Sequence, residues 1–411
     1  MPAVNACRSV VITGMGAICA LGDRLDQVFA ALCEGARPFA SPTLFPPDAA
    51  PGHLAAEVRE FTPERYLRPG NIRPLDRTGR LALVGVELAL ADSGWSIELR
   101  KTRDVGLVWG TMLSGVHTIG EFDRRALQAG PEYASALDFS NTVLNAAGGQ
   151  VAIWQQLRGI NSTTAGGAAS GVLALGYAAQ LIRTGRADVL LAGGAEELSF
   201  ESFLGFARAG WLACQHDGVE ACAVPFDATR NGAVLGEGAA FLVLEAEQTA
   251  VERGARIIGR VLGSANGYDP GARTRGAEQG KPLADTIARA LRDSDTEARA
   301  IGVVSASAHG SPVLDRREAA GIEAALGART PVTAIKAMTG ETLGASGPLQ
   351  AIVAIEAMRA GRLPGIAGLV TPDPAVRLDI AAATRPLDAS RALVTALTPE
   401  GNCAALVLQV G

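Results

Sequence analysis

Short apolar runs alternate with longer Ala- and Leu-rich stretches along most of this chain. Val105–Val108, Val189–Ala192, Ala240–Leu244, Ile257–Leu262 and Val303–Ala306 are short, strongly apolar and rich in β-branched residues, which predicts buried strands. Stretches of helical length separate them. One opens in the small-residue run Gly166-Gly167-Ala168-Ala169-Ser170-Gly171 and closes at Arg183-Thr-Gly185, and the apolar run Asp188–Gly193 follows it. This alternation predicts βαβ units, hence an α/β fold with sheets covered by helices. The last two runs, Ala392–Leu397 and Ala404–Val410, straddle a loop and predict an antiparallel hairpin.

The helical pattern repeats itself. Ala169, Ser170, Gly171, Leu173, Ala178, Arg183, Gly185 and Arg186 recur 176 residues later as Ala345, Ser346, Gly347, Leu349, Ala354, Arg359, Gly361 and Arg362. Both segments are long enough for a buried helix and both end in Arg-x-Gly-Arg. Matches in one constant register point to duplicated halves. The boundary is expected near residue 255, dividing the chain into 1–254 and 255–411.

Composition narrows the class. A chain of 411 residues with 48% hydrophobic and only 19% charged residues can bury a large core and, in addition, a subunit interface. The net charge of −5 and the lack of any Lys/Arg block argue against nucleic acid and against a polybasic membrane role. No apolar run approaches the roughly 18–20 residues needed to span a bilayer. Gly14, Gly16 and Gly22 interrupt the N-terminal apolar stretch as a strand and turn would, unlike a signal peptide. Six cysteines, at 7, 19, 33, 214, 222 and 403, lack paired spacing and read as reduced thiols of a cytoplasmic protein.

Five glycine-rich motifs then occur in order. They are Val10-Val-Ile-Thr-Gly-Met-Gly16 with Leu21-Gly22; Leu75-Asp76-Arg77 and the helical stretch to Gly94; Thr163-Thr-Ala-Gly-Gly-Ala-Ala-Ser-Gly171; Pro225-Phe-Asp227-Ala-Thr-Arg230-Asn-Gly232 with Gly236-Glu-Gly238; and Ile335-Lys336-Ala-Met-Thr-Gly340 with Leu343-Gly-Ala-Ser-Gly347. Together they resemble the β-ketoacyl synthases, the condensing enzymes of fatty acid and polyketide synthesis, over nearly the whole chain. The resemblance implies a thiolase-like fold: duplicated βαβαβαββ halves stacked in α-β-α-β-α layers. It also implies acyl transfer on carrier-protein thioesters, with no cofactor and no metal.

Against that family pattern the chemistry is altered. The family's nucleophilic cysteine falls on Ala168, whose methyl carries no acyl group. A helix N-terminus is where a thiol would gain nucleophilicity, so the platform remains while the nucleophile is absent. The family's first catalytic histidine corresponds to His309 in Ser305-Ala-Ser-Ala-His309-Gly-Ser-Pro312, in a loop two residues short. His309 could donate a hydrogen bond to a thioester carbonyl, or be a leftover in a vestigial pocket. Glu341 stands where the second histidine is expected. A carboxylate there would oppose enolate charge unless its pKa were strongly raised, or it could simply begin a helix and interact with its dipole.

Lys336 is retained, and Glu318 sits where the family places its ion-pair partner, so a structural pair joining two loops is expected. Thr398-Pro399-Glu-Gly401-Asn402-Cys403 replaces the family's flexible phenylalanine gate, and proline stiffens it. Cys403 is the one conceivable substitute thiol, and reads better as a small buried residue at a strand start. Ser170, Thr163 and Thr164 lack a paired base. Asp227-Ala-Thr-Arg230 resembles a loop-stabilising salt-bridge motif.

These departures imply a non-condensing subunit resembling the chain-length factors of type II polyketide synthases. Such a subunit pairs with an active ketosynthase, shapes the acyl tunnel and works with acyl carrier protein; a homodimer is the other arrangement. The interface is expected around Asn145–Ile160 and a strand at Ile160–Thr164. The best-known chain-length factors carry glutamine at the position of Ala168. Two readings compete with this one: an acyltransferase with cysteine-independent thioester chemistry, and a synthase of fatty acid elongation.

Overall fold

The computed structural model describes residues 8–46, 51–214, 222–272 and 280–411. Cys7 lies outside them. The apolar runs form strands and the Ala-rich stretches form helices, with ends set by local chemistry. Helix Arg77–Ser93 starts at Asp76, whose side chain accepts from Gly79 N, and stops at Gly94 in the left-handed conformation.

The strands of the first half are Val10–Cys19, Val105–Gly110, Asn161–Thr164, Val189–Glu196 and Gly238–Ala246. Those of the second are Gly259–Tyr268, Val303–Ser305, Pro331–Thr333, Arg391–Leu397 and Asn402–Gln409. Each half arranges them in the same spatial order, third-second-fourth-fifth-first, and the second half adds Asp379–Ile380 at its outer edge. The two sets of five are joined edge to edge. Val10–Ile12 pairs antiparallel with Gly259–Val261, making one sheet of eleven strands. The final hairpin forms as expected, with Leu397 opposite Cys403.

Two helices, Ser170–Arg183 and Ser346–Ala360, lie between the halves and touch strands of both. Helices Arg77–Ser93 and Ala146–Gln155 cover the outer face of the first half, and Lys281–Asp293 with Pro312–Leu326 covers that of the second. The result is the α-β-α-β-α layering that the family resemblance implied.

The 176-residue repeat explains why the central pair fits. A Cβ on Gly171 would collide with Gly344 O and Pro348 Cδ, and one on Gly347 with Val172 Cγ2, so each helix crosses its twin at the same repeated glycine. Ser170 Oγ accepts from Gly166 N at 2.8 Å, and Ser346 Oγ accepts from Thr342 N at 3.0 Å, again at equivalent positions. The core between the halves is apolar and buried, including Leu175, Ala178, Ile182, Ile352 and Ile355.

Among the described residues, no helix is long and apolar enough to cross a membrane. Cys19, Cys33, Cys214, Cys222 and Cys403 are free thiols.

Candidate functional site

The two central helices begin side by side, and the sequence-predicted residues gather around their first turns. Ala168 precedes helix Ser170–Arg183 and packs among Leu198, Phe203, Leu212 and Leu343. Gly167 turns the chain there with φ +64°, a conformation that disfavours side chains. The nearby hydroxyls are engaged with backbone or structural partners. Ser170 Oγ donates toward Gly167 O (2.6 Å) and Thr111 O (3.0 Å), Thr164 Oγ1 donates to Ser170 O (2.9 Å), and Thr163 Oγ1 accepts from Trp109 Nε1 (2.9 Å).

At the second helix the turn is charged. Lys336, 4% exposed, places Nζ 2.7 Å from Glu341 Oε2. The other oxygen of Glu341 accepts from Leu343 N (2.9 Å) and Ser346 Oγ (2.7 Å), so the carboxylate also closes the start of helix Ser346–Ala360. Burial acts to raise the pKa of Glu341. Lys336 and then His309 outweigh it, and the net shift is downward. The buried carboxylate is therefore ionised at neutral pH, and the raised pKa that would have made it harmless to an enolate does not arise.

The expected pair between Lys336 and Glu318 is not formed: among the described residues, no ion pair joins them. Glu341, five residues from Lys336 on the same loop, takes the ammonium instead. Glu318 Oε1 accepts from Ser307 N (2.8 Å) and Thr395 Oγ1 (2.6 Å), and burial raises its pKa. Its contacts thus tie strand to loop without the lysine.

His309 is buried, with Nδ1 3.6 Å from Glu341 Oε2. Burial pushes its pKa down to about 4; Glu341 opposes the shift and Lys336 adds to it. The ring is neutral at pH 7, so its approach to Glu341 is a polar contact and not an ion pair. Its loop is held by Asp315, which accepts from the backbone N–H groups of His309 (3.1 Å) and Gly310 (3.2 Å). Asp315 and Asp373 in turn flank Arg230, at 3.2 and 2.9 Å. Asp227 Oδ2 accepts from Val370 N (2.9 Å) and Thr371 N (3.0 Å). Both residues of that motif bind loops together, and they act through different partners.

Cys403 is the second residue of its strand and 1% exposed. Burial, followed by the charges of Asp269 and Glu318, pushes its thiol up to about 12, so almost no thiolate exists at neutral pH. The Pro399 loop is closed by Thr398 N donating to Asn402 O (2.9 Å) and Gly401 N donating to Thr398 O (3.0 Å).

Three residues of this region, Trp211, Glu196 and Glu400, have no role assigned in the sequence reading. Trp211 stacks on His309 at 6.2 Å between ring centroids and 13° between planes. It lines a cavity of about 240 Å³ with His309 and also a larger one of about 620 Å³ with Phe206, Leu113 and Glu400. Glu196, fully buried, accepts from Thr111 Oγ1 (2.8 Å) and from the N–H groups of Met112 (2.7 Å), Leu113 (2.9 Å) and Gly344 (3.2 Å). The acidic pair Glu196-Glu197 ending an apolar strand run is the signal available for Glu196. Nothing local marks Trp211 or Glu400: the histidine that Trp211 stacks on and the Gly167 turn beside Glu400 come from distant parts of the chain.

The arrangement offers a neutral imidazole able to donate or accept one hydrogen bond, a fixed Lys–Glu pair, and a methyl group at the start of the first helix. Comparison with known proteins agrees with this frame. Residues 7–250 match the β-ketoacyl synthase N-terminal domain and residues 258–369 the β-ketoacyl synthase C-terminal domain. A 3-oxoacyl-[acyl-carrier-protein] synthase 2 of Synechocystis sp. is 30% identical over 376 residues, covering 90% of each chain. The solved structure of the ishigamide ketosynthase/chain length factor superposes with a TM-score of 0.90 at 29% identity, covering 99% of this chain and 100% of that one. A β-ketoacyl synthase from Burkholderia phymatum also gives a TM-score of 0.90, at 30% identity, with 98% and 100% covered. With both halves matched and the layered architecture in place, the chain belongs to the β-ketoacyl synthase family.

Proposed function

We propose that this chain is a non-condensing subunit of chain-length-factor type that pairs with an active ketosynthase and works on acyl groups delivered by acyl carrier protein. The observation that carries the reading is the buried Lys336–Glu341 pair (2.7 Å) beside neutral His309. Where condensation would need donors for a developing enolate, this site holds a fixed negative charge. Ala168 at the first helix start agrees, since it brings a methyl group where the resemblance expects the thiol. A structural neighbour that is itself a ketosynthase/chain length factor supports the same reading. We divide the chain at residues 254 and 255, supported by the two family spans ending at 250 and starting at 258.

The pairing surface we propose lies on the first half. Strand Asn161–Thr164 is the outermost of the sheet, and Leu137, Phe139, Val143 and Ile153 nearby are 51–80% exposed. An open strand edge beside exposed apolar side chains suits a large two-fold interface. Co-expression with a candidate synthase followed by mass measurement of the complex tests this: a stable 1:1 complex is expected, and a stable monomer with and without the synthase would sink it. The isolated chain should also take no covalent acyl group from acyl carrier protein in intact-mass spectrometry. A stoichiometric adduct on Cys403 would reverse that conclusion.

A second reading, cysteine-independent thioester chemistry, has one observation in its favour: His309 is neutral and lines a cavity. Release of free acid from acyl carrier protein by the isolated chain, lost in His309→Ala, would support it. Fatty acid elongation, the third reading, would require the thiol that Ala168 lacks; the Synechocystis relative is a 3-oxoacyl-[acyl-carrier-protein] synthase 2.

A further inference from the structure

Two of the free cysteines are held by one side chain. Cys214 and Cys222 have seven residues between them, and both are half-buried. Asn231 clamps the pair. Its Oδ1 accepts from Cys222 N (2.9 Å), its Nδ2 donates to Cys214 O (3.2 Å), and its backbone N–H donates to Cys222 O (2.9 Å). Ala213 and Ala223, the chain neighbours of the two cysteines, pack with Ala56 and Val234 in one small buried cluster. Polar and apolar contacts alike therefore draw these two stretches of chain together.

The Cys222 sulfur is the better placed to react. It accepts from Thr229 Oγ1 at 3.5 Å. Burial lowers the pKa of Arg37 and the charge of Cys222 opposes that shift, so a thiolate at Cys222 has a guanidinium within range. Cys19 and Cys403, by contrast, are buried, and burial pushes their thiols up to about 11 and about 12. We propose that Cys214 and Cys222 are a reversible disulfide pair, oxidised by exchange with a low-molecular-weight disulfide of the glutathione class. The Cys222 thiolate attacks one sulfur of glutathione disulfide and expels one glutathione thiolate. Cys214 then gives its proton to solvent, attacks the Cys222 sulfur of the mixed disulfide and expels the second. Two protein thiols are oxidised, and one glutathione disulfide is reduced to two glutathione molecules. Asn231 and Gly232 line the cavity of about 240 Å³ together with His309, so the bridge pins one wall of that cavity. The inference goes beyond the pairing reading and needs no partner subunit.

Incubation of the folded full chain with glutathione disulfide, followed by acid quenching, intact-mass measurement and peptide mapping, tests it. The chain should lose the mass of two hydrogens, with the bridge mapped to Cys214 and Cys222, and excess reduced glutathione should restore the starting mass. Cys214→Ser should instead stop at a glutathione adduct on Cys222, which shows the first step without the second. A chain that stays fully reduced, a bridge that includes any other cysteine, or a lasting glutathione adduct on Cys222 of the unaltered chain would each overturn the assignment.

Discussion

The starts of the two central helices are copies of one structure furnished in opposite ways. At Ser170 the turn is built from Gly166, Gly167 and Ala168, and its hydrogen bonds run between hydroxyls and backbone. At Ser346 the same serine-to-backbone bond recurs, but the turn also carries Glu341, Lys336 and, across the loop, His309. The glycines at the helix crossing and the serines at the helix starts are shared; the charged groups are not. The frame therefore rests on small residues and backbone bonds, and the chemistry hung on it can be exchanged without unmaking the fold.

Removing the ammonium from the charged turn should be the most damaging single change. Lys336→Ala would leave Glu341 buried and unpaired, a loss of about 3–5 kcal/mol in urea unfolding. The double substitution Lys336→Met with Glu341→Gln should recover most of it. A single-variant loss below about 1 kcal/mol, the range of an exposed pair, would show that the pair does not hold this turn.

Refurnishing both turns tests whether the chemistry alone is missing. Ala168→Cys should not create a condensing enzyme, and adding Glu341→His should recover some malonyl decarboxylation, read as carbon dioxide release. The gap between single and double variants is expected at about 10²–10³, the effect of one oxyanion donor. Recovery should be partial, because the new histidine leaves Lys336 without its carboxylate and the Pro399 loop stays closed. Robust condensation by Ala168→Cys alone would contradict the role given to Glu341.

The shared frame predicts symmetric damage. Gly171→Ala and Gly347→Ala each push a methyl into the opposing helix and should cost about 1–3 kcal/mol apiece, as overpacking does. A large loss from one and none from the other would mean that the helices are not equivalent.

A further effect, on pH dependence, is expected away from both turns. Burial, and then the charge of Asp76, raises Glu197 from 4.5 to about 8. The folded state holds this proton more tightly than the unfolded one. Its contribution is thus complete below about pH 4.5 and is lost as pH rises toward 8. The urea midpoint should fall across that window more steeply than in Glu197→Gln; parallel curves would refute the shift.

Much of this architecture could be read in the sequence because its determinants are local or periodic. Strand runs, the Asp76 and Gly94 helix ends and the 176-residue repeat are of that kind, and Ala168 and Glu341 stand out against the family motif. What escaped was the choice of side-chain partners, which only the folded geometry makes. Lys336 had two carboxylates within reach of a motif-based reading, Glu318 and Glu341, and only the folded geometry chooses between them. Trp211 lies far from His309 in the chain, and no periodicity announces a stacked ring. The union of the two half-sheets through Val10–Ile12 was hidden too, since an edge strand and a central strand have the same apolar pattern.

That union has a consequence for how the chain is made. Among the described residues Val10–Cys19 is the first strand in the chain, yet its partners are Gly238–Ala246 on one side and Gly259–Val261 on the other. It must wait, apolar and unpaired, until the chain has grown past Ala246 and Val261. Closing so long a loop is slow, and an unpaired apolar strand is prone to pair with the wrong chain. The strand that welds the finished halves together is thus the one left longest without its partners while the chain is made.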